Sequence, residues 1–182
     1  IYAPQPSVGV WTQVACVQHY GTNPSTALYV NGVFVTSTQH SSVTVGGSWY
    51  IGRPGSSVAT YFNGTIDHPT IYARALNSSE LTALYSNTIT DYPIETFDPA
   101  MVAWYKFNET AWTGQIGDVL DATGKNSAQS KNGVTQTVKL GTDKAATFDG
   151  VNDNILTPIK FVSNASVSLS AWVKPDNQTK KR

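Results

Sequence analysis

Hydrolysis of a glycosidic bond needs two carboxylates held close together, and side chains two apart on a strand share one face. This chain has only three glutamates, Glu80, Glu95 and Glu109, and no E-x-D or E-x-x-x-E run. Glu80 reads as a helix-capping residue and Glu95 as part of a linker. Asp149 and Asp153 bracket "DGVND", whose composition is that of a turn. His19, His40 and His68 lack the spacing of metal ligands. There is no G-x-S-x-G elbow, and Gly46-Gly47 without a following Lys makes no phosphate loop. The chemistry on offer is therefore binding rather than catalysis. Trp112 in "NETAWTGQ" and Trp49 are the leading candidates for stacking on a glycan, with Tyr50, Tyr61 and Tyr92 behind them. Trp11, Trp104 and Trp172 sit in apolar alternation and are expected in the core.

Composition narrows the partners. Only 13% of the 182 residues are charged, about half the usual share of roughly 25%. Formal net charge is zero, and the one basic cluster is Lys180-Lys181-Arg182. Nucleic acid would need clustered Lys and Arg, so it is not an expected partner. That terminal cluster reads either as a basic surface turn or as a dibasic processing site. No run of 18 apolar residues exists to span a bilayer. The chain opens at Ile1 without a signal segment, as expected of a mature product, a fragment or an intracellular protein. Cys16 is the single cysteine and cannot form an internal disulfide; its apolar setting reads as a buried, inert thiol. Five N-x-[ST] sequons begin at Asn63, Asn77, Asn108, Asn164 and Asn177. Together with the low charge they favour a secreted glycoprotein, Asn77 and Asn177 being the most turn-like acceptors.

The elements that must position these residues are mostly short strands. "WTQVACVQHY" is one; "ALYV" and "VFVTS" follow, joined by Asn31-Gly32, a dipeptide that tolerates positive φ at both central hairpin positions. "SVTV" and "SWYIGR" give two more. "YFNGTIDHPTIYARAL" reads as a strand pair, with Pro69 marking an edge or a bulge. Asn77 then caps a short helix, with Glu80 completing a capping box and Leu76, Leu81 and Leu84 on one face. Residues 91–99, with Pro93 and Pro99, read as a linker. Beyond it "MVAWYKF", "TQTVKL", "KAATFDG", "NILTPI" and "SVSLSAWVKP" are further strands. The expected class is all-β, an antiparallel sandwich with one short helix.

These residues resemble the laminin-G-like, concanavalin A-like jelly-roll family. Trp11 to Ala15, Leu28 to Gly32, Ile51 to Arg53, Phe62 to Asp67, Ile71 to Leu76 and Glu80 to Tyr85 look like the back half of such a domain. Trp104 to Phe107, Asp121 to Asn126, Lys144 to Gly150, Asn152-Asp153 and Ser168 to Pro175 look like its front half. Residues 1–90 thus precede, rather than follow, their complement in 100–182. His68-Pro69 departs from the family, which usually has an acidic residue and then Val there. The resemblance also implies one structural calcium, for which Asp67, Asp121 and Asn126 are the candidate ligands if the halves pair as in the family.

Three readings explain the reversed order: a circular permutant, a window across two tandem domains, or halves completed by neighbouring copies through strand donation. Head-to-tail completion does not close and would build a filament. The leading expectation is a secreted, non-enzymatic structural subunit whose partners are copies of itself or neighbouring repeats. The alternative is a glycan- or protein-binding adhesion module of a larger extracellular protein.

Overall fold

The structure is a computed structural model that describes residues 4–41, 47–54, 60–86, 98–161 and 164–176. In β1 (Thr12–His19) both faces are largely apolar, Val14 and Cys16 on one side and Ala15 and Val17 on the other. The strand lies inside a sheet, between strands Ser25–Val30 and Val167–Pro175, with Ala15 and Val17 buried and Val14 and Cys16 half-buried. Asn31 at φ 50° and Gly32 at φ 74° make the tight turn between β2 (Ser25–Val30) and β3 (Val33–Gln39).

β4 (Trp49–Ile51) is short, and β5 (Asn63–Tyr72) is the longest strand. After the helix α1 (Ser78–Ser86) come β6 (Met101–Trp104), β7 (Gln129–Lys131) and β8 (Thr135–Leu140). β9 (Asp143–Asp149), β10 (Asn154–Thr157) and β11 (Val167–Pro175) complete the described elements. An eight-stranded sheet runs β3-β2-β1-β11-β5-β9-β8, with β6 also on β5; a three-stranded sheet runs β4-β10-β7. All the pairings are antiparallel. The molecule is a β-sandwich, as the strand pattern predicts.

β5 carries three partners. β11 lines one edge; on the other, β9 pairs with Asn63–Ile66 and β6 with Thr70–Tyr72. The handover falls at Asp67–Pro69. His68 takes φ 47°, Pro69 has no N–H to offer, and the Pro69 carbonyl accepts from the Tyr105 N–H at 3.0 Å. Across the strand, the β11 register shifts between Ser170 and Trp172. The expected strand pair is therefore one kinked interior strand. The edge alternative for Pro69 is corrected, and the bulge alternative is what the sheet uses.

Segments from both sides of residue 100 share the large sheet, since β11 lies between β1 and β5. The main core, between the sheets, gathers Ile66, Phe107, Phe148, Ile155 and Val173. A second cluster on the outer face packs Leu76 and Leu81, beside and within α1, on Val17, Tyr72 and Trp104. The helix begins in the expected capping box: Asn77 Oδ1 accepts from the Glu80 N–H at 3.0 Å, and Glu80 Oε2 from the Asn77 N–H at 2.8 Å. Arg74 grips the same Glu80 at 2.6 and 2.9 Å and also Asp98, and it holds both carboxyls below their ordinary values. "SVTV" and most of the 91–99 linker, including Pro93 and Glu95, fall outside the described residues.

Gly64 sits at φ 141° where β5 passes β11, and a Cβ there would come 2.4 Å from the Lys174 carbonyl oxygen. Gly64→Ala is expected to destabilise the fold by about 2 kcal/mol or more. A urea denaturation midpoint equal to that of the parent chain would contradict this packing.

Candidate functional site

Among the described strands, eight in one sheet stand against three in the other. Between them lies an apolar cleft of about 300 Å³. Val14 and Cys16 of β1, Leu28 of β2 and Leu169 of β11 form one wall, and Trp49 and Ile51 of β4 the other. Trp49 is held by edge-on contact with Phe161 at 5.1 Å, and its carbonyl accepts from Thr157 Oγ1 at 3.1 Å. Among the described strands β4 pairs only with β10. Cys16 is half-buried in the cleft wall, and burial pushes its thiol above the ordinary value.

Trp112 lies in a different place. It borders a groove of about 270 Å³ with Thr110, Thr135, Gln136 and Lys144. Its ring stands edge-on to Phe107 at 5.3 Å, and Nε1 donates to Glu109 Oε2 at 3.0 Å. The two tryptophans proposed as binding residues thus serve two separate cavities. Tyr50 and Tyr61 flank Arg53, whose guanidinium is 4.4 and 6.0 Å from their rings; Tyr92 lies outside the described residues. Of the three expected core tryptophans, Trp104 is buried. Trp172 is half-buried and stacks on Tyr85 at 5.7 Å. Trp11 precedes β1, half-buried, with Lys139 Nζ 4.9 Å and Lys174 Nζ 5.5 Å from its ring.

Asp121 and Asn126 share one loop. Asp121 Oδ1 accepts from the backbone N–H of Trp104 and Thr123 at 2.8 and 2.9 Å. Its Oδ2 accepts from Thr123 Oγ1 and from the N–H of Asn126 and Lys125 at 2.5, 2.9 and 3.2 Å. Asn126 Nδ2 donates to the Val102 carbonyl at 2.8 Å. Asp67 makes its contacts elsewhere. Hydrogens fill both Asp121 oxygens where a cation would coordinate, so this donor set does not fit calcium.

Asp67 is fully buried. Its Oδ1 accepts from the His68 backbone N–H and from His68 Nδ1, each at 2.7 Å. Its Oδ2 lies 2.5 Å from Lys139 Nζ, and Asp143 Oδ2 is 3.7 Å from the same nitrogen. Asp67, His68 and Asp143 bring three ligand-type atoms within 4.8 Å of one another, a grouping that the histidine spacing did not suggest. Lys139 supplies the positive charge beside it. The sequence reading missed Lys139 and Asp143. Only the structure exposes the inversion: Val138 is 65% exposed while the Lys139 side chain is only 9% exposed, the reverse of their chemistry. The β8–β9 register shifts between Val138 and Leu140, which leaves Lys139 at the irregularity.

Of the sequons, Asn77, Asn108 and Asn164 are exposed and Asn63 is half-buried on β5. Asn108 Oδ1 accepts from the Lys144 N–H at 2.7 Å. Asn177, like Lys180-Lys181-Arg182, lies outside the described residues.

Residues 2–82 match a family model described as the concanavalin A-like lectin/glucanases superfamily, of laminin-G type. The match supports a laminin-G-like domain and ends within α1. It covers the segment read as the back half and none of the segment read as the front half, so the reversed order rests on the sequence motifs. No curated protein and no solved structure matches the chain.

Two outcomes follow from these environments. Thiolate is the reactive form of cysteine, so labelling of Cys16 by a neutral maleimide is expected to be slow at about pH 7 and still rising past about pH 9. A rate that levels off by about pH 8 would contradict the cleft-wall burial. Calcium or EDTA is expected to move the thermal midpoint by less than about 1 °C, read by scanning calorimetry.

Proposed function

We propose that this chain is a non-enzymatic binding module of an extracellular protein, and that the apolar cleft between its sheets receives an extended segment of a protein partner. The cleft beside β4 carries this reading. A short strand next to an apolar slot suits β-strand addition, in which main-chain hydrogen bonds give affinity and alternate side chains fill the slot. Exposed sequons at Asn77, Asn108 and Asn164 support an extracellular setting. Among the described residues no helix is long and apolar enough to cross a membrane.

The shared sheet supports reading residues 1–90 and 100–182 as complementary halves of one sandwich, in permuted order. A filament made by exchanging those halves finds no support in the pairing, since β1, β5 and β11 pair within one chain. A glycan ligand is the second reading. It is favoured by the Trp112 groove, where an aromatic ring borders Thr135, Gln136 and Lys144.

Selection of displayed peptides on the folded chain tests the cleft. Binders are expected to alternate apolar and polar residues and to lose at least about tenfold in affinity against Cys16→Trp, which fills the slot. Binders indifferent to Cys16→Trp would sink the cleft reading. Glycan-array signals abolished by Trp112→Ala would put the second reading in its place.

A further inference from the structure

The Asp67–Lys139 contact has the composition of a reaction site rather than of an ordinary ion pair. Both side chains are at least nine-tenths buried, at 0% and 9% exposure. A buried ion pair rarely repays its desolvation unless hydrogen bonds saturate it, and here the neighbouring carboxylate is left short. Asp143 Oδ2 is buried without a hydrogen-bond partner, 3.7 Å from Lys139 Nζ. The Trp11 ring stands 4.9 Å from that nitrogen. On the far side of the Asp67 carboxyl, two N–H groups of His68 converge on Oδ1. His68 reaches them through its left-handed backbone, φ 47°, a costly conformation of the kind that gathers at functional sites.

We propose that Lys139 and Asp67 condense into an intramolecular amide that joins β8 to β5 across β9. The proton on the Lys139 ammonium passes along the existing 2.5 Å contact to Asp67 Oδ2, giving the amine and the carboxylic acid. The nitrogen lone pair forms a bond to Asp67 Cγ. Negative charge builds on Oδ1, where the His68 backbone N–H and Nδ1–H receive it in the manner of an oxyanion hole. Asp143 takes a proton from the attacking nitrogen and delivers it to the Oδ2 hydroxyl. The Cγ–Oδ2 bond breaks and one water leaves. The sum is ammonium plus carboxylate giving amide plus water, with no change of oxidation state and no co-reactant. The fold supplies the rate by holding the groups in contact. Asp143 and His68 are the assisting groups, and the one N–H left on the amide is a donor for Asp143.

The inference is independent of the ligand assigned to the cleft. Its test is the intact mass of the full chain, made in a host that adds no glycans and measured under denaturing conditions. The expected mass is lower than the sequence mass by one water. Proteolysis is expected to release a branched peptide joining the segments that contain Asp67 and Lys139. Lys139→Arg and Asp143→Asn are expected at full mass, and circular dichroism reports whether each is folded. A parent chain at full sequence mass overturns the proposal without recourse to any variant. So does a water loss that fragment ions place elsewhere, including a cyclic imide at Asp67-His68.

Discussion

The backbone of β5 hydrogen-bonds to three strands, all of which follow it in the chain by about thirty residues or more. One edge is taken by β11 alone. The other must be divided between β9 and β6, and a regular strand cannot hand over from one neighbour to another without breaking its ladder. The break at Asp67-His68-Pro69 solves that problem. Pro69 removes a donor that would have lost its partner, and its carbonyl turns to Tyr105 instead. The bulge lies on β5 itself, where His68 and Pro69 stand opposite the single Ala171 of β11 and absorb the offset. Three of the described strands downstream of residue 100, β6, β9 and β11, are located by this one strand.

A kink in an interior strand also redirects side chains. Asp67 precedes the turn and is driven into the sheet, fully buried, while His68 folds back onto it. Lys139 reaches Asp67 across β9 because the β8 irregularity rotates it inward and pushes Val138 out. Two bulges two strands apart therefore make one polar site. Toward β1 and β2 the large sheet continues past the small one. The same topology that buries Asp67 leaves Val14, Cys16 and Leu28 facing an open cleft.

Local chemistry made much of this visible in the sequence. Asn31-Gly32 dictated its turn because only such residues accept two positive φ values, and Asn77 with Glu80 capped the helix by reciprocal hydrogen bonds. Val167–Pro175 was legible from its period-two alternation, and Thr12–His19 from its short apolar run. β7 was not: "QSK" is three polar residues that become a strand only by lying against β10. Trp11 carried an apolar signal but spends its ring on two lysine ammoniums. Trp49 and Trp112 were legible as aromatic, but only the layering could assign them to different cavities. Lys139 was hidden because period-two alternation fails at a bulge, where its exposure was decided.

Two charged clusters lie on or just past β5, Asp67 with Lys139 and Arg74 with Glu80 and Asp98, and burial separates their consequences. Arg74, Glu80 and Asp98 remain about a third exposed, at 36%, 35% and 27%. Water screens such a network, so it fixes the geometry of the α1 entrance more than it adds stability. Asp67 and Lys139 have no such relief. Separated charges there cost several kcal/mol of solvation each, answered by the two His68 N–H groups, a carboxylate 3.7 Å away and the Trp11 ring 4.9 Å from the ammonium. An amide would remove both charges at once, keep one N–H for Asp143, and turn the buried ion pair into a fixed crosslink. The desolvation that makes the ion pair costly is thus the same force that would drive its condensation.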